Sequence, residues 1–168
     1  FFELQKDQLT ILKALKIVKQ KYSNFHLILI GNGSMYKILK DYININNLNN
    51  NVSIFKNITD AKPFYKNSDL FILSSIYEGF ANVVAEALFY KCPVITSDCN
   101  AGPMEIIEHG KFGDFFPKSN SKILSRKIIN FIKDPKKLKD KANKSKNSLN
   151  RFTLKKNLSY YKKLFKEI

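Results

Sequence analysis

Two carboxylates, Glu78 and Glu86, bracket Gly79-Phe80-Ala81-Asn82, a segment lying between an apolar run and a helical pattern. A helix start leaves backbone N–H groups without intrahelical acceptors, and the helix dipole adds partial positive charge there. Phosphate binds readily to such a start. A carboxylate accepts hydrogen bonds from vicinal hydroxyls, as acidic residues do for ribose in doubly wound nucleotide sites. A diphosphate on the amides of Gly79, Phe80, Ala81 and Asn82, with Glu78 and Glu86 on flanking sugars, is therefore a coherent arrangement. Each part alone has a plainer explanation. Asn82 also fits a helix cap, and Glu86 also fits a first-turn acid favoured by the dipole.

The elements around this segment must place it at the edge of a sheet. Asp7–Tyr22 carries Leu9, Leu12, Leu15, Ile17 and Val18 near helical spacing, with lysines between them. His26–Ile30 is an apolar run ending in Gly31-Asn32-Gly33-Ser34, a strand followed by a tight turn. A helix is expected over Met35–Asn46, a strand over Val52–Phe55, and a brief helix over Lys62–Lys66, interrupted by Pro63. Asp69–Leu73 reads as a buried strand, Asn82–Tyr90 as a helix, Pro93–Thr96 as a strand, Pro103–His109 as a short helix and Phe112–Phe116 as an extended piece. Three more helices follow, over Ser119–Lys133, Pro135–Leu149 and Thr153–Ile168. Strands alternating with helices predict an α/β fold, a Rossmann-like doubly wound parallel sheet with C-terminal helices. Ligands in such folds sit beyond the C-terminal strand ends, which singles out the loops Gly31–Ser34, Ser74–Asn82 and Ser97–Gly102.

Composition narrows the class. The 168 residues suit one domain, a Rossmann-like core over about 1–117 and a helical part over about 118–168. The hydrophobic content of 44% argues against disorder. No apolar stretch approaches the roughly 18 residues a membrane span requires, and Glu3, Lys6 and Asp7 break any signal-peptide pattern. Cys92 and Cys99 read as free thiols of a cytoplasmic protein. The net charge of +15 is lopsided: residues 1–116 hold 12 Lys/Arg against 11 Asp/Glu, whereas residues 117–168 hold 17 against 3. Two readings compete for that tail, peripheral contact with an anionic membrane surface and ordinary solvated helix faces. A nucleic-acid partner lacks any motif or aromatic platform. No metal site is expected, because His26 and His109 are the only histidines and no carboxylates have ligand spacing.

Residues 69–117, from Asp-Leu-Phe-Ile-Leu-Ser-Ser through Glu-Gly-Phe, Glu-Ala-Leu, Pro-Val-Ile-Thr-Ser-Asp, Gly-Pro-Met-Glu-Ile-Ile and His-Gly-Lys-Phe-Gly, closely resemble family-4 retaining glycosyltransferases of the GT-B fold. The signature is two glutamates, Glu78 and Glu86, separated by seven residues. The resemblance extends through Gln5-Lys6-Asp7 and Gly31-Asn32-Gly33 to essentially the whole chain, which would be one half of a GT-B protein.

The resemblance implies a donor-binding domain for a nucleoside-diphosphate sugar, working without a metal or other cofactor. It implies that Glu86 holds ribose hydroxyls, that Glu78 meets the transferred sugar, and that the amides of Gly79, Phe80, Ala81 and Asn82 hold sugar and diphosphate. Lys6 would offset charge on the leaving diphosphate, catalysis by electrostatic stabilisation. Gly31 and Gly33 would bring backbone close to the ligand, although a plain strand–helix turn explains them equally. The base would be read near Lys56–Ile58. The family is thought to react on one face of the sugar, so Glu78 is not assigned as a nucleophile. The expected activity is hexose or N-acetylhexosamine transfer, with retention, to a bacterial surface glycan or lipid-linked acceptor. An N-terminal acceptor domain would precede residue 1, and without it turnover would nearly vanish. The alternative is a noncatalytic nucleotide-sugar sensor or scaffold. Several positions depart from the family pattern: Phe1 stands where an arginine usually accompanies Lys6, and Ala81, Lys91 and Asn57 stand at frequent glycine positions. At Lys91 a left-handed backbone would cost on the order of 1 kcal/mol.

Overall fold

A computed structural model describes residues 2–99 and 102–165. A 3₁₀ turn at Leu4–Lys6 leads into α1 (Gln8–Lys19), then β1 (Leu27–Ile30), α2 (Tyr36–Ile45), β2 (Val52–Phe55) and α3 (Lys62–Asn67). β3 (Phe71–Leu73), α4 (Asn82–Phe89), β4 (Val94–Ser97), α5 (Gly102–Ile106) and β5 (Asp114–Phe116) complete the alternating part. The helices α6 (Ser121–Lys133), α7 (Lys136–Lys144), α8 (Lys146–Leu149) and α9 (Leu154–Leu164) follow, with a 3₁₀ turn at Asn150–Phe152 before the last.

All strand pairs are parallel, as alternation with helices requires. The hydrogen-bonded ladder forms two blocks, β1 with β2 and the order β3-β4-β5. α1 joins them. Its Leu12 packs with Phe2, Leu29, Leu39 and Val52 around the first block, while Ile11, Ala14, Leu15 and Val18 pack with Ile95, Phe116 and α6 residues around the second. A third apolar cluster holds α4 and α5 against β3 and β4, through Leu73, Val84, Leu88, Val94, Ile106 and Ile107. β4 is flanked on both sides and buried at all its positions, which accounts for its unbroken Val-Ile-Thr run.

Three expectations need correction. Pro63 does not interrupt α3. It occupies the first turn, where its missing N–H costs nothing. The span expected as one helix over Pro135–Leu149 is two, α7 and α8, meeting at Ser145, whose buried hydroxyl donates to Ala142 O at 2.7 Å. His109 lies beyond α5 with φ 50°, in a turn rather than a helix end.

The basic tail is partly consumed by the fold. Lys127 pairs with Asp114 at 2.7 Å, Lys141 donates to the carbonyls of Gly110 (2.5 Å) and Gly113 (3.0 Å), and Arg151 grips Glu108. Glu108 also accepts from Lys111 and from Ser148 Oγ, and these bonds, Lys111's foremost, push its pKa down to about 2. Among the described residues, no helix is long and apolar enough to cross a membrane.

Candidate functional site

β3 and β4 run parallel, so the loops that follow them leave at the same edge of the sheet. The N-terminal segment comes to that edge as well. Ile76 N–H donates to Gln5 O (2.8 Å), Gln5 Nε2 to Tyr77 O (2.9 Å), and Ser74 Oγ to Lys6 O (2.8 Å). Asp7 turns the chain at φ 45° and caps α1, accepting from Thr10 N (3.3 Å) and Thr10 Oγ1 (2.8 Å). Such a cap contributes on the order of 1 kcal/mol. These contacts fix Lys6 at the end of the 3₁₀ turn, just before α1.

The result is an ion pair across 72 positions of sequence: Lys6 Nζ lies 2.6 Å from Glu78 Oε1. Ser75 Oγ donates to the same oxygen at 2.7 Å, and Ser97 Oγ in turn donates to Ser75 O at 2.5 Å. The Glu78 side chain is only 10% exposed and the lysine 30%, so the pair is shielded but reachable. Ser74, Ser75 and Ser97 lie in loops that the sequence marks, but nothing in the sequence gives them roles of their own. Their types are unremarkable there, and only the meeting of β3, β4 and the N-terminal turn gives them partners.

After Glu78 the chain opens into α4 without a side-chain cap. Ala81 occupies the cap position, buried, with φ −82° and ψ 80°. Asn82 is therefore the first helical residue and not the cap; its N–H donates to Phe80 O at 3.1 Å. The amides of Gly79, Phe80 and Ala81 donate to no acceptor among the described residues. The loop is held from behind: Gly102 packs so closely that an added Cβ would lie 1.9 Å from Gly79 O. In front, the half-exposed Phe80 ring stands edge-on to Phe152, centroids 4.8 Å apart.

Glu86 lies in the second turn of α4, exposed, so the first-turn dipole explanation does not apply. Its Oε2 accepts from Tyr65 Oη at 3.0 Å. Burial, and then the neighbouring Glu86 charge, push the Tyr65 phenol's pKa upward, so it remains a donor. Gly31 (φ 146°) and Gly33 (φ 154°) form the turn after β1. Gly31 N–H donates to Phe55 O at 2.9 Å, and a Cβ on Gly33 would lie 2.5 Å from Phe2 O. The protein's own N-terminal segment thus requires Gly33. Lys56, where the base was expected, stacks its ammonium 3.6 Å from the Tyr36 ring centroid, and Asn57 takes φ 55°. Phe1 lies outside the described residues. His26 Nε2 sits 2.8 Å from Ser53 Oγ, joining the start of β1 to β2. Among the described residues, no group of three or more His, Cys, Asp or Glu side chains could hold a metal.

The chain resembles known proteins along almost all its length. The family model for glycosyl transferases group 1 matches residues 2–148. An uncharacterized glycosyltransferase, MJ1059, of Methanocaldococcus jannaschii is 41% identical over 103 residues, 61% of this chain and 25% of that protein. The capsular polysaccharide biosynthesis glycosyltransferase CapM of Staphylococcus aureus is 30% identical over 126 residues, 74% of this chain and 33% of CapM. The chain thus spans a quarter to a third of these curated relatives. Among solved structures, Anabaena Alr3699/HepE in complex with UDP superposes with a TM-score of 0.87 at 25% identity, covering 98% of this chain and 46% of HepE. HepE is also known in complex with UDP-glucose. Motif, topology and these likenesses agree: the chain belongs to the group 1 glycosyltransferases and has the fold of a GT-B C-terminal domain.

Proposed function

We propose that this domain binds a nucleoside-diphosphate sugar and, within a full-length retaining transferase, presents the sugar to an acceptor. The observation that carries the reading is the Lys6–Glu78 pair beside three amides that donate to no acceptor among the described residues, at the uncapped approach to α4. Diphosphate oxygens accept from the amides of Gly79, Phe80 and Ala81, aided by the α4 dipole. Lys6 swings from Glu78 to the phosphate and offsets the charge that grows as the sugar–oxygen bond breaks. Glu78, oriented by Ser75, then accepts from the sugar's hydroxyls, and Glu86 accepts from the ribose. HepE, similar along this whole chain, binds UDP and UDP-glucose, which supports a nucleotide sugar as the donor. We take the transferred group to be a hexose or N-acetylhexosamine and the acceptor a surface glycan or lipid-linked intermediate; that CapM is a capsular polysaccharide biosynthesis glycosyltransferase supports the surface glycan. No metal is required in this reading, since Lys6 supplies the cation.

The test is a donor screen on the full-length protein, with Lys6→Ala and Glu86→Ala beside it. Lys6→Ala is expected to lower kcat by roughly a hundredfold to a thousandfold, the scale of losing one charge-stabilising donor. Glu86→Ala should raise the donor KM. A protein that neither binds nor cleaves any nucleoside-diphosphate sugar refutes the reading.

A further inference from the structure

Resting on the assignment of Glu86 to the ribose, we infer that Tyr65 is the positioning residue for that carboxylate, a buried phenol that sets which Glu86 oxygen faces the nucleotide. An exposed glutamate on a helix samples several rotamers, and binding must freeze them at an entropic cost. Here one oxygen is already held. Tyr65 Oη donates to Glu86 Oε2 at 3.0 Å, leaving Oε1 for the ligand.

The phenol can hold that oxygen because its own ring is fixed on two sides. Tyr65 comes from α3 and is 9% exposed. Its ring stacks on Tyr90 (centroids 6.1 Å, 12° between planes) and meets Phe71 of β3 edge-on (5.7 Å, 64°). Tyr90 closes α4 one turn beyond Glu86, and its N–H donates to Glu86 O at 3.1 Å. Tyr65 therefore spans a single helical turn, ring on Tyr90 and hydroxyl on Glu86. An aromatic side chain has two torsions, and packing removes both, so the hydroxyl is placed with little residual freedom. Preorganisation of this kind lowers the ordering cost of binding without adding a ligand contact.

The experiment uses full-length protein and its Tyr65→Phe and Glu86→Ala variants, titrated with UDP, GDP and ADP and with the 2′,3′-dideoxy forms of each. Tyr65→Phe removes one hydroxyl and keeps the stacked ring, so melting should be nearly unchanged. Its affinity for the ribonucleotide that binds wild type should fall roughly three- to tenfold, the range set by one net hydrogen bond. The dideoxy form, lacking the hydroxyls Glu86 would meet, should lose nothing. In turnover the variant should raise the donor KM and leave kcat in place. An unchanged ribonucleotide affinity, or an equal loss for both forms, overturns the positioning role. If Glu86→Ala weakens ribonucleotide binding while Tyr65→Phe does not, only the Tyr65 inference fails. If neither variant changes affinity, or no nucleotide binds, the ribose assignment fails with it.

Discussion

Gly79 and Gly102 touch, and alanine at each should fail for a different reason. A methyl on Gly102 would lie 1.9 Å from Gly79 O and 2.9 Å from Phe80 Cα. One backbone must retreat by about 1.5 Å to reach ordinary contact; Gly102 is buried at the start of α5, so the exposed Gly79 loop is the side that gives way. Overpacking of this kind costs roughly 1–3 kcal/mol, a drop of roughly 2–12 °C in melting temperature for a domain of this size. The retreat also moves the Gly79–Phe80 peptide, whose N–H belongs to the amide cradle. A shift of about 1 Å at such a site can cost on the order of a hundredfold in turnover. Gly79 itself is open: an added Cβ meets nothing within 4 Å, and its backbone is not left-handed. Gly79→Ala should therefore leave stability within about 0.5 kcal/mol, while the methyl intrudes where the diphosphate approaches. Thermal unfolding and nucleotide titration of both variants separate the effects. Gly102→Ala with wild-type melting and turnover would refute the packing argument. Gly79→Ala with wild-type nucleotide affinity would refute the placement of the ligand.

Lys91 follows α4 at φ 61°, so Lys91→Gly should relieve a left-handed side chain and raise stability by roughly 0.5–1 kcal/mol; a lower melting temperature would contradict this. Glu108, held at about 2 against an ordinary 4.5, contributes stability that is present above about pH 4.5 and lost as pH falls toward 2. Glu108→Gln should accordingly melt lower at neutral pH and converge with wild type in acid; a gap that persists at pH 2 sinks the assignment. Burial pushes the Cys92 thiol up to about 12, so iodoacetamide at pH 8.5 should leave it unmodified until the chain is unfolded in urea. Rapid alkylation of the native protein would show that the site opens.

The alternation of short apolar runs with amphipathic helices is written locally, in side-chain periodicity, and it determined the parallel α/β class. The Glu78–Glu86 spacing, the signature of the resemblance, pointed to the glycosyltransferase family that the family model matches. Lys91 and Asn57 stand where the resembled family often has glycine, and both take positive φ. Helix ends were less legible: α7 gives way to α8 at Ser145, whose hydroxyl bonds back to Ala142 O within its own turn and is buried only once these helices pack on α4. The site's wiring was illegible from sequence. Ser75 and Ser97 are ordinary strand-end serines until β3 and β4 pair, and Tyr65 is one apolar helix residue until α3 docks on α4. Lys6 and Glu78, 72 positions apart, become partners only because the 3₁₀ turn before α1 hydrogen-bonds to the loop after β3. Local periodicity depends on neighbours a turn away, whereas a hydrogen bond between distant segments depends on how every intervening element packs, and that is decided in three dimensions.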